Sequence, residues 1–286
     1  MCLMLTVLKA VPEPVLRTCL LPSTRTRPVT TTHLSLNIMP GMFKILAMFI
    51  AFGAVAQARP YQRQASAQVI TSCSVPNTAA ITFDDGPYTW TRDIVDKLDA
   101  AGAKGTFFVN GNNFGCIYSG NNPGNLKYAY DQGHQVASHT WSHPHLSTLS
   151  ADQIKTEFNK INTAIEGTTG AFPAFIRPPY GEYNQAVQQV AGSLGQTIVT
   201  WDFDSGDADG VPEEQSAAAY QNLVASRPNS VLTLNHETHS STADALVGQM
   251  ISLFQDAGYR LVTVAECVGM DPYLSQGQPT GSAGSC

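Results

Sequence analysis

Short β-rich runs alternate with helical patterns along most of this chain of 286 residues. The predicted strands are Ala79–Phe83, Thr106–Asn110, Gln135–His139, Phe175–Arg177, Thr197–Asp202, Val231–His236 and Leu261–Ala265. The predicted helices between them are Thr91–Ala101, Asn125–Gln132, Ala151–Ile165, Gln185–Leu194, Glu213–Ala225 and Ala243–Asp256. Strands that alternate with helices over such a length indicate an α/β fold with a parallel sheet or a barrel.

The first 58 residues differ in composition from the rest and resemble a targeting segment. Lys44 gives a positive start, Ile45–Val55 is an apolar run, and Ala56-Gln57-Ala58 is a small-residue site of the cleavable kind. The apolar run is shorter than the ~20 residues that a membrane-spanning helix needs. We therefore predict a signal peptide at residues 42–58 after an upstream extension at 1–41, hence a secreted protein without stable membrane insertion.

The net charge of the chain limits the kinds of molecule that it can bind. After residue 58 the chain keeps 11 Lys and Arg and 21 Asp and Glu, so its net charge of −10 is more acidic than the −6 of the whole sequence. No basic patch is left to neutralise phosphates, which excludes nucleic acid as a partner. A neutral or cationic substrate suits this surface better.

Four cysteines follow the predicted cleavage site, and four cysteines allow three pairings. A secreted compartment favours disulfide bonds over free thiols. Cys73 precedes the first strand and Cys267 follows the last, so a bond between them would join the two ends of one domain. We expect that pairing, together with Cys116 and Cys286. We place a polar leader at residues 59–72 and a tail at 269–286 outside a single domain.

Two adjacent carboxylates, Asp84 and Asp85, directly follow the first predicted strand, and His139 ends the third, with His143 shortly after it. Imidazole and carboxylate side chains are the ligands of catalytic zinc sites, and two His with three residues between them can converge in a helical or tight turn. Taken singly, an Asp-Asp-Gly turn is a common solvated strand exit, and such a His pair is often only a polar face. Both lie where a strand ends, however, and parallel barrels gather their chemistry at that edge.

More polar residues follow later strands in the same way. Arg177 ends the fourth strand, Asp204 and Asp207 follow the fifth, and His236 ends the sixth. Each has a structural alternative, as an ion-pair partner, a solvated loop or a hydrogen-bonded core histidine. Their shared position at one end of successive strands favours a common site, and His145 is expected near it.

Five segments occur in the order and approximate spacing of the motifs of polysaccharide deacetylases. They are Thr82–Pro87, His139–His143, Arg177–Tyr180, Asp204–Asp207 and Leu234–His236. The chain resembles this family, also called carbohydrate esterase family 4 or NodB-homology enzymes, over residues 73–268. It looks most like secreted fungal chitin deacetylases. The resemblance implies a single-domain, distorted seven-stranded (β/α) barrel.

The resemblance also implies roles for individual residues. Asp85, His139 and His143 would hold a divalent metal, with zinc expected and cobalt or another divalent ion as alternatives. Asp84 would be the general base that activates a water on the metal, and His236 would protonate the departing amine.

Supporting roles follow from the same resemblance. Arg177 would orient Asp84 and lower its pKa, and Asp207 would pair with His236. The backbone N–H of Tyr180 would stabilise the oxyanion, and its ring would face the sugar. Leu234 would line a pocket for the acetyl methyl group. Trp141 is a second sugar-facing candidate, although a buried Trp is at least as often simple packing.

One position departs from the family pattern. Many relatives have Trp after the Asp of the fourth motif, where this sequence has Ala208. The missing aromatic wall should widen the cleft or weaken stacking on a sugar ring.

We expect a monomeric, metal-dependent enzyme that removes N-acetyl groups from chitin or chitooligosaccharides. Two alternatives stay open. One is a deacetylase of acetylated xylan or peptidoglycan, and the other is a carbohydrate-binding protein without activity.

Overall fold

The computed structural model describes residues 66–281 and 284–286. The predicted extension, the signal peptide and the first part of the leader lie outside the described residues. The strands are β1 Val69–Ile70, β2 Thr78–Ala80, β3 Thr82–Gly86, β4 Thr106–Val109, β5 Gln135–Ser138, β6 Ala171–Pro173, β7 Phe175–Ile176, β8 Thr197–Val199, β9 Phe203–Asp204, β10 Ser230–His236, β11 Arg260–Leu261 and β12 Tyr273–Gln276. The helices are α1 Thr91–Ala100, α2 Asn122–Asp131, α3 Ala151–Thr169, α4 Gln185–Ser193, α5 Glu213–Ala225, α6 Val247–Asp256 and α7 Val264–Val268.

The main sheet is parallel and runs in the order β1-β8-β7-β5-β4-β3-β10-β2-β11, with β9 beside β10. The predicted α/β fold is confirmed. Its end strands, β1 and β11, do not pair with each other among the described residues, so hydrogen bonds do not close the sheet into a barrel. The first predicted strand is divided into β2 and β3, which pair with different parts of β10.

Alternating side chains divide the core into layers on the two faces of the sheet. Phe107 of β4 packs with Phe83, Leu98 and other residues of one apolar cluster, whereas its neighbour Phe108 packs in a second cluster with Val199 and Leu232. Successive residues of a strand point to opposite faces, which explains this separation. Fully burying one such side chain contributes about 1.5–3 kcal/mol, so both layers stabilise the sheet.

Helix ends follow the local sequence. In α3, Ser150 and Gln153 form a capping box, and Gly170 ends the helix with a φ of 80° that favours glycine. The helix continues one turn past its predicted end, to Thr169.

The last predicted strand, Leu261–Ala265, is wrong in its second half. Only Arg260–Leu261 is a strand, and Val264 begins α7. Thr263 and Glu266 form a capping box that starts this helix. The local cap therefore outweighs the β-branched residues of the run.

The folded region extends beyond the predicted boundaries of 73–268 on both sides. β1, which lies in the predicted leader, pairs with β8, and β12, which lies in the predicted tail, pairs antiparallel with β6. The disulfide bonds Cys73–Cys267 and Cys116–Cys286 are both present, as expected. In the part of the chain described, no helix combines the length and the apolar character needed to cross a membrane.

Candidate metal and catalytic site

The polar residues predicted at the strand ends do lie at one edge of the sheet. β3, β5, β7 and β10 are parallel within one sheet, so their carboxyl ends share that edge. His236 ends β10, His139 and Arg177 directly follow β5 and β7, and Asp84 lies two residues before the end of β3.

A β-bulge explains how two adjacent Asp residues reach the same site. Asp84 pairs with Phe108 and Gly86 with Val109, so Asp85 is an extra residue without a partner on β4. Neighbouring residues of a regular strand would point to opposite faces, but a bulge changes the direction of one side chain. Asp85 has a φ of 73°, a left-handed conformation that is uncommon outside glycine.

Asp85, His139 and His143 form a compact group of potential ligands. Asp85 Oδ1 lies 3.5 Å from His143 Nε2 and 3.8 Å from His139 Nε2. Thr140 and His143 both have a positive φ, 73° and 55°, so a tight non-helical turn brings the second imidazole back toward the first. The backbone N–H of His143 donates to Thr140 Oγ1 at 3.1 Å and helps to hold this turn.

These donor atoms fit a divalent metal. One donor atom from each of the three residues lies within 4.8 Å of the others. Ligands about 2.1 Å from a tetrahedral ion lie about 3.4 Å apart, close to the separations here. His139 Nδ1 lies 2.7 Å from the carbonyl of Arg177 and donates to it, which leaves Nε2 free as a ligand. Burial lowers the pKa of His139 to about 3 and of His143 to about 4, so both imidazoles are neutral, as metal ligands must be.

Asp84 is buried and paired with Arg177, which has no exposed surface. Arg177 Nη1 donates to Asp84 Oδ1 at 2.8 Å and to Thr82 Oγ1 at 2.6 Å, and Nη2 donates to the carbonyl of Thr200 at 3.0 Å. Burial raises the pKa of Asp84, and the charge of Arg177 opposes that rise. The sequence-based expectation of a lowered pKa considered only the charge of Arg177 and omitted the cost of burial.

His236 and Asp207 form a second pair. His236 Nδ1 lies 2.7 Å from Asp207 Oδ1, and Asp207 Oδ2 accepts from the backbone N–H of His236 and the hydroxyl of Thr242. Burial alone would lower the pKa of His236, but its hydrogen bond to Asp207 and the charge of that carboxylate outweigh burial and raise the pKa to about 9. The imidazole is therefore protonated at neutral pH and can donate a proton from Nε2.

The rim of the site is partly aromatic. Tyr180 is 55% exposed, its ring stacks on His145 with centroids 4.1 Å apart, and it contacts His143 edge-on at 4.7 Å. His145 thus lies near the site. Leu234 is buried two residues before His236 on β10. Ala208 is exposed beside Asp207, so its side chain adds no aromatic surface.

Trp141 lies between His139 and His143 in the sequence but packs into the core. Its side chain is 8% exposed, and a methyl group at Gly111 would overlap its ring. Its ring centroid lies 6.0 Å from that of Tyr118. Packing therefore accounts for Trp141, which has little ring surface to offer a sugar.

Three residues at the site were not singled out from the sequence. Asn113 Nδ2 donates to Asp85 Oδ1 at 3.0 Å, and Asn110 Nδ2 donates to the carbonyls of His139 and Thr140. Glu237, directly after His236, is completely buried. The two Asn residues belong to the β4 end of the same sheet edge, a position that could have suggested them.

Comparisons with known proteins agree with this geometry. The family model for polysaccharide deacetylase matches residues 72–199. A chitin deacetylase from Pestalotiopsis sp. is 36% identical, and the match covers 76% of this chain and 73% of that protein. A probable peptidoglycan-N-acetylglucosamine deacetylase from Arthroderma benhamiae is 37% identical over 72% of this chain, which spans only 47% of that protein.

A solved structure of a chitin deacetylase is also similar to this chain. The chitin deacetylase of the fungal pathogen Colletotrichum lindemuthianum superposes with a TM-score of 0.69 at 34% identity. The superposition covers 73% of this chain and 94% of that one. From these similarities, this chain belongs to the polysaccharide deacetylase family.

Proposed function

We propose that this protein is a metal-dependent hydrolase that removes N-acetyl groups from chitin or chitooligosaccharides. The observation that carries the proposal is the meeting of three groups at one sheet edge: the Asp85–His139–His143 ligand set, the Asp84–Arg177 pair and the His236–Asp207 pair. The similarity to chitin deacetylases over most of the chain supports the choice of substrate.

A divalent ion held by Asp85, His139 and His143 would supply Lewis acidity, which polarises the acetamide carbonyl and makes a water more acidic. Asp84 Oδ2 lies 3.6 Å from His139 Nε2, beside the ligand set, where its carboxylate takes a proton from the attacking water. Arg177 fixes Asp84 through Oδ1 and leaves the other oxygen for this task.

His236 is the general acid that protonates the leaving group. An amide needs a general acid because an unprotonated amine anion leaves very poorly. With its pKa raised to about 9, His236 holds a proton at neutral pH and gives it from Nε2 to the departing amine. Asp207 keeps the ring oriented through Nδ1. The Tyr180 backbone N–H supports the oxyanion, and Leu234 contacts the acetyl methyl group.

Further parts of the proposal concern the whole protein. The resident metal is zinc, and the protein acts as a secreted monomer after cleavage behind residue 58. Two disulfide bonds support secretion, since such bonds persist in oxidising compartments.

Peptidoglycan is the second candidate substrate, because one similar protein is a probable peptidoglycan-N-acetylglucosamine deacetylase. The deciding experiment measures acetate released from N-acetylglucosamine oligomers of increasing length, beside peptidoglycan and acetylated xylan. Each substrate is tested with protein treated with chelator and then resupplied with zinc, and Asp85→Ala serves as the matched control.

Zinc-restored release from the oligomers would support the proposal. Acetate release from peptidoglycan alone, or from acetylated xylan alone, would make that polymer the substrate in place of chitin. No release from any of them would favour a binding protein without activity.

A further inference from the structure

Glu237 is a carboxylic acid buried beside the site that the proposed reaction does not use. Its side chain has no exposed surface, and Oε1 has no hydrogen-bond partner among the described residues. An acid in such a position costs free energy unless something compensates for its burial. Its contacts indicate what it does.

The carboxyl group of Glu237 packs directly against Gly86. A methyl group at Gly86 would overlap both Oε1 and Cδ of Glu237. Because Glu237 is enclosed on all sides, its carboxyl cannot swing away to make room. Glycine at this position therefore allows the β3 bulge to lie against the acid.

A hydrogen-bond network ties the same carboxyl to the start of α1. Glu237 Oε2 is hydrogen-bonded to Thr91 Oγ1, which also lies 2.9 Å from both the N and the O of Tyr88. A hydroxyl has one proton to donate and two lone pairs. If the carboxyl is protonated at Oε2, it donates to Thr91, Thr91 donates to the carbonyl of Tyr88, and the N–H of Tyr88 donates to Thr91, so each of these four groups has a partner while Oε1 has none. Burial acts in the same direction and raises the pKa of Glu237 to about 8.

The backbone of Glu237 binds the neighbouring strand. Its N–H donates to the carbonyl of Asp84 at 3.2 Å. Asp85, the next residue, has a φ of 73°, a left-handed conformation that is strained for a non-glycine residue and persists only where the surroundings hold it in place. Glu237 thus contacts the residues on both sides of the strained one.

We propose that Glu237 is a positioning residue whose buried carboxyl, wedged between Gly86 and Thr91, holds the Asp84-Asp85-Gly86 bulge so that both Asp side chains reach the metal site. The role rests on the proposed metal-dependent function. It acts through the bulge and requires no contact between Glu237 and the substrate.

The test compares zinc affinity in Glu237→Gln, Glu237→Ala, Gly86→Ala and the double variant Gly86→Ala/Glu237→Ala. Zinc binding is measured by competition with a chromophoric chelator, without substrate. Melting temperature in excess chelator reports folding, and kcat and KM are measured at saturating zinc. Glu237→Gln keeps the shape and can donate an N–H to Thr91, so it should bind zinc within about threefold of the natural protein.

The other variants should weaken zinc binding about 10- to 100-fold, as expected when the partners that orient metal ligands are lost. Their kcat should fall more than KM rises, because the base carboxylate is misplaced while the sugar contacts remain. In the double variant the methyl group fills space that the carboxyl vacates. Its affinity should be no weaker than that of Gly86→Ala alone, whereas independent effects would multiply.

The proposal is overturned if Glu237→Ala binds zinc like the natural protein, or if the two substitutions act independently. It is also overturned if Glu237→Gln loses affinity as Glu237→Ala does. If Glu237→Ala does not fold, Thr91→Val is the second test, because it removes the hydroxyl at nearly constant volume. Unchanged zinc affinity in Thr91→Val would contradict the proposed network. A protein that binds zinc but releases no acetate would refute the proposed reaction while leaving this test of the bulge valid.

Discussion

His236 Nδ1 lies 2.7 Å from Asp207 Oδ1, and the same carboxylate accepts from the backbone N–H of His236 at 2.8 Å. The carboxylate therefore fixes both the ring and the main chain of the histidine. Thr242 donates to Asp207 Oδ2 at 2.7 Å and holds the carboxylate in turn. A histidine held in this way keeps its proton and its orientation together.

The pH dependence of turnover should report this pair. The pKa of His236 is raised to about 9, because Asp207, aided by the charges of Asp84 and Asp85, outweighs burial. The acid form is present below that value and is lost as the pH rises through it, so kcat should decline near pH 9. Asp207→Asn removes the charge and should move the decline to lower pH.

The matched control is Asp209→Asn, an exposed carboxylate in the same loop. It should leave the alkaline decline in place. A profile of kcat against pH that is identical in the natural protein and in Asp207→Asn would contradict the general-acid assignment.

Substitutions of Asp84 and of Asp85 should have different effects, the first on proton transfer and the second on metal binding. Asp84→Asn should retain zinc but lose about 10²–10⁴-fold in kcat, the usual contribution of a general base. Asp85→Ala should abolish zinc binding. Metal content after gel filtration and acetate release measure the two effects, and an active Asp84→Asn variant would refute the base assignment.

Arg177 should be important for stability as well as orientation. Arg177→Met leaves the buried Asp84 without its partner, and breaking a buried pair in this way costs about 3–5 kcal/mol. Urea unfolding in the presence of chelator measures that loss without any contribution from metal. The double variant Arg177→Met/Asp84→Asn removes both charges and should be more stable than Arg177→Met alone. A double variant destabilised by the sum of the single effects would count against the pair.

Ala208 offers a test of substrate length. Its side chain is exposed beside Asp207, so Ala208→Trp can be introduced without disturbing the core. An aromatic face there should lower KM for longer oligomers about 2- to 10-fold, matching the 0.5–1.5 kcal/mol typical of aromatic contacts. A KM that is unchanged for every oligomer length would show that the sugar does not contact the side chain at position 208.

The strand ends were predictable because they combine apolar β-rich runs with a polar residue. Asp84, His139, Arg177 and His236 all follow this pattern and meet at one edge. The bulge at Asp85 was not predictable, since it depends on the register between β3 and β4 rather than on the residues themselves. A strict two-residue period would have placed Asp85 on the opposite face.

Other differences have equally specific causes. Glu237 escaped notice because acids are almost never fully buried without a partner, and its partner Thr91 is 146 residues away in sequence. The start of α7 was missed although Thr263 and Glu266 have the spacing of a capping box. The predicted strand there relied on composition and gave that spacing no weight.

The Cys73–Cys267 disulfide bond has a consequence for resistance to proteolysis. Every residue proposed for metal binding or catalysis lies between these two cysteines in the chain. A protease that cuts one peptide bond in an exposed loop of that segment therefore opens a covalent ring and releases no fragment. The two parts remain tethered by the disulfide bond, and their buried layers can keep the sheet assembled after the cut.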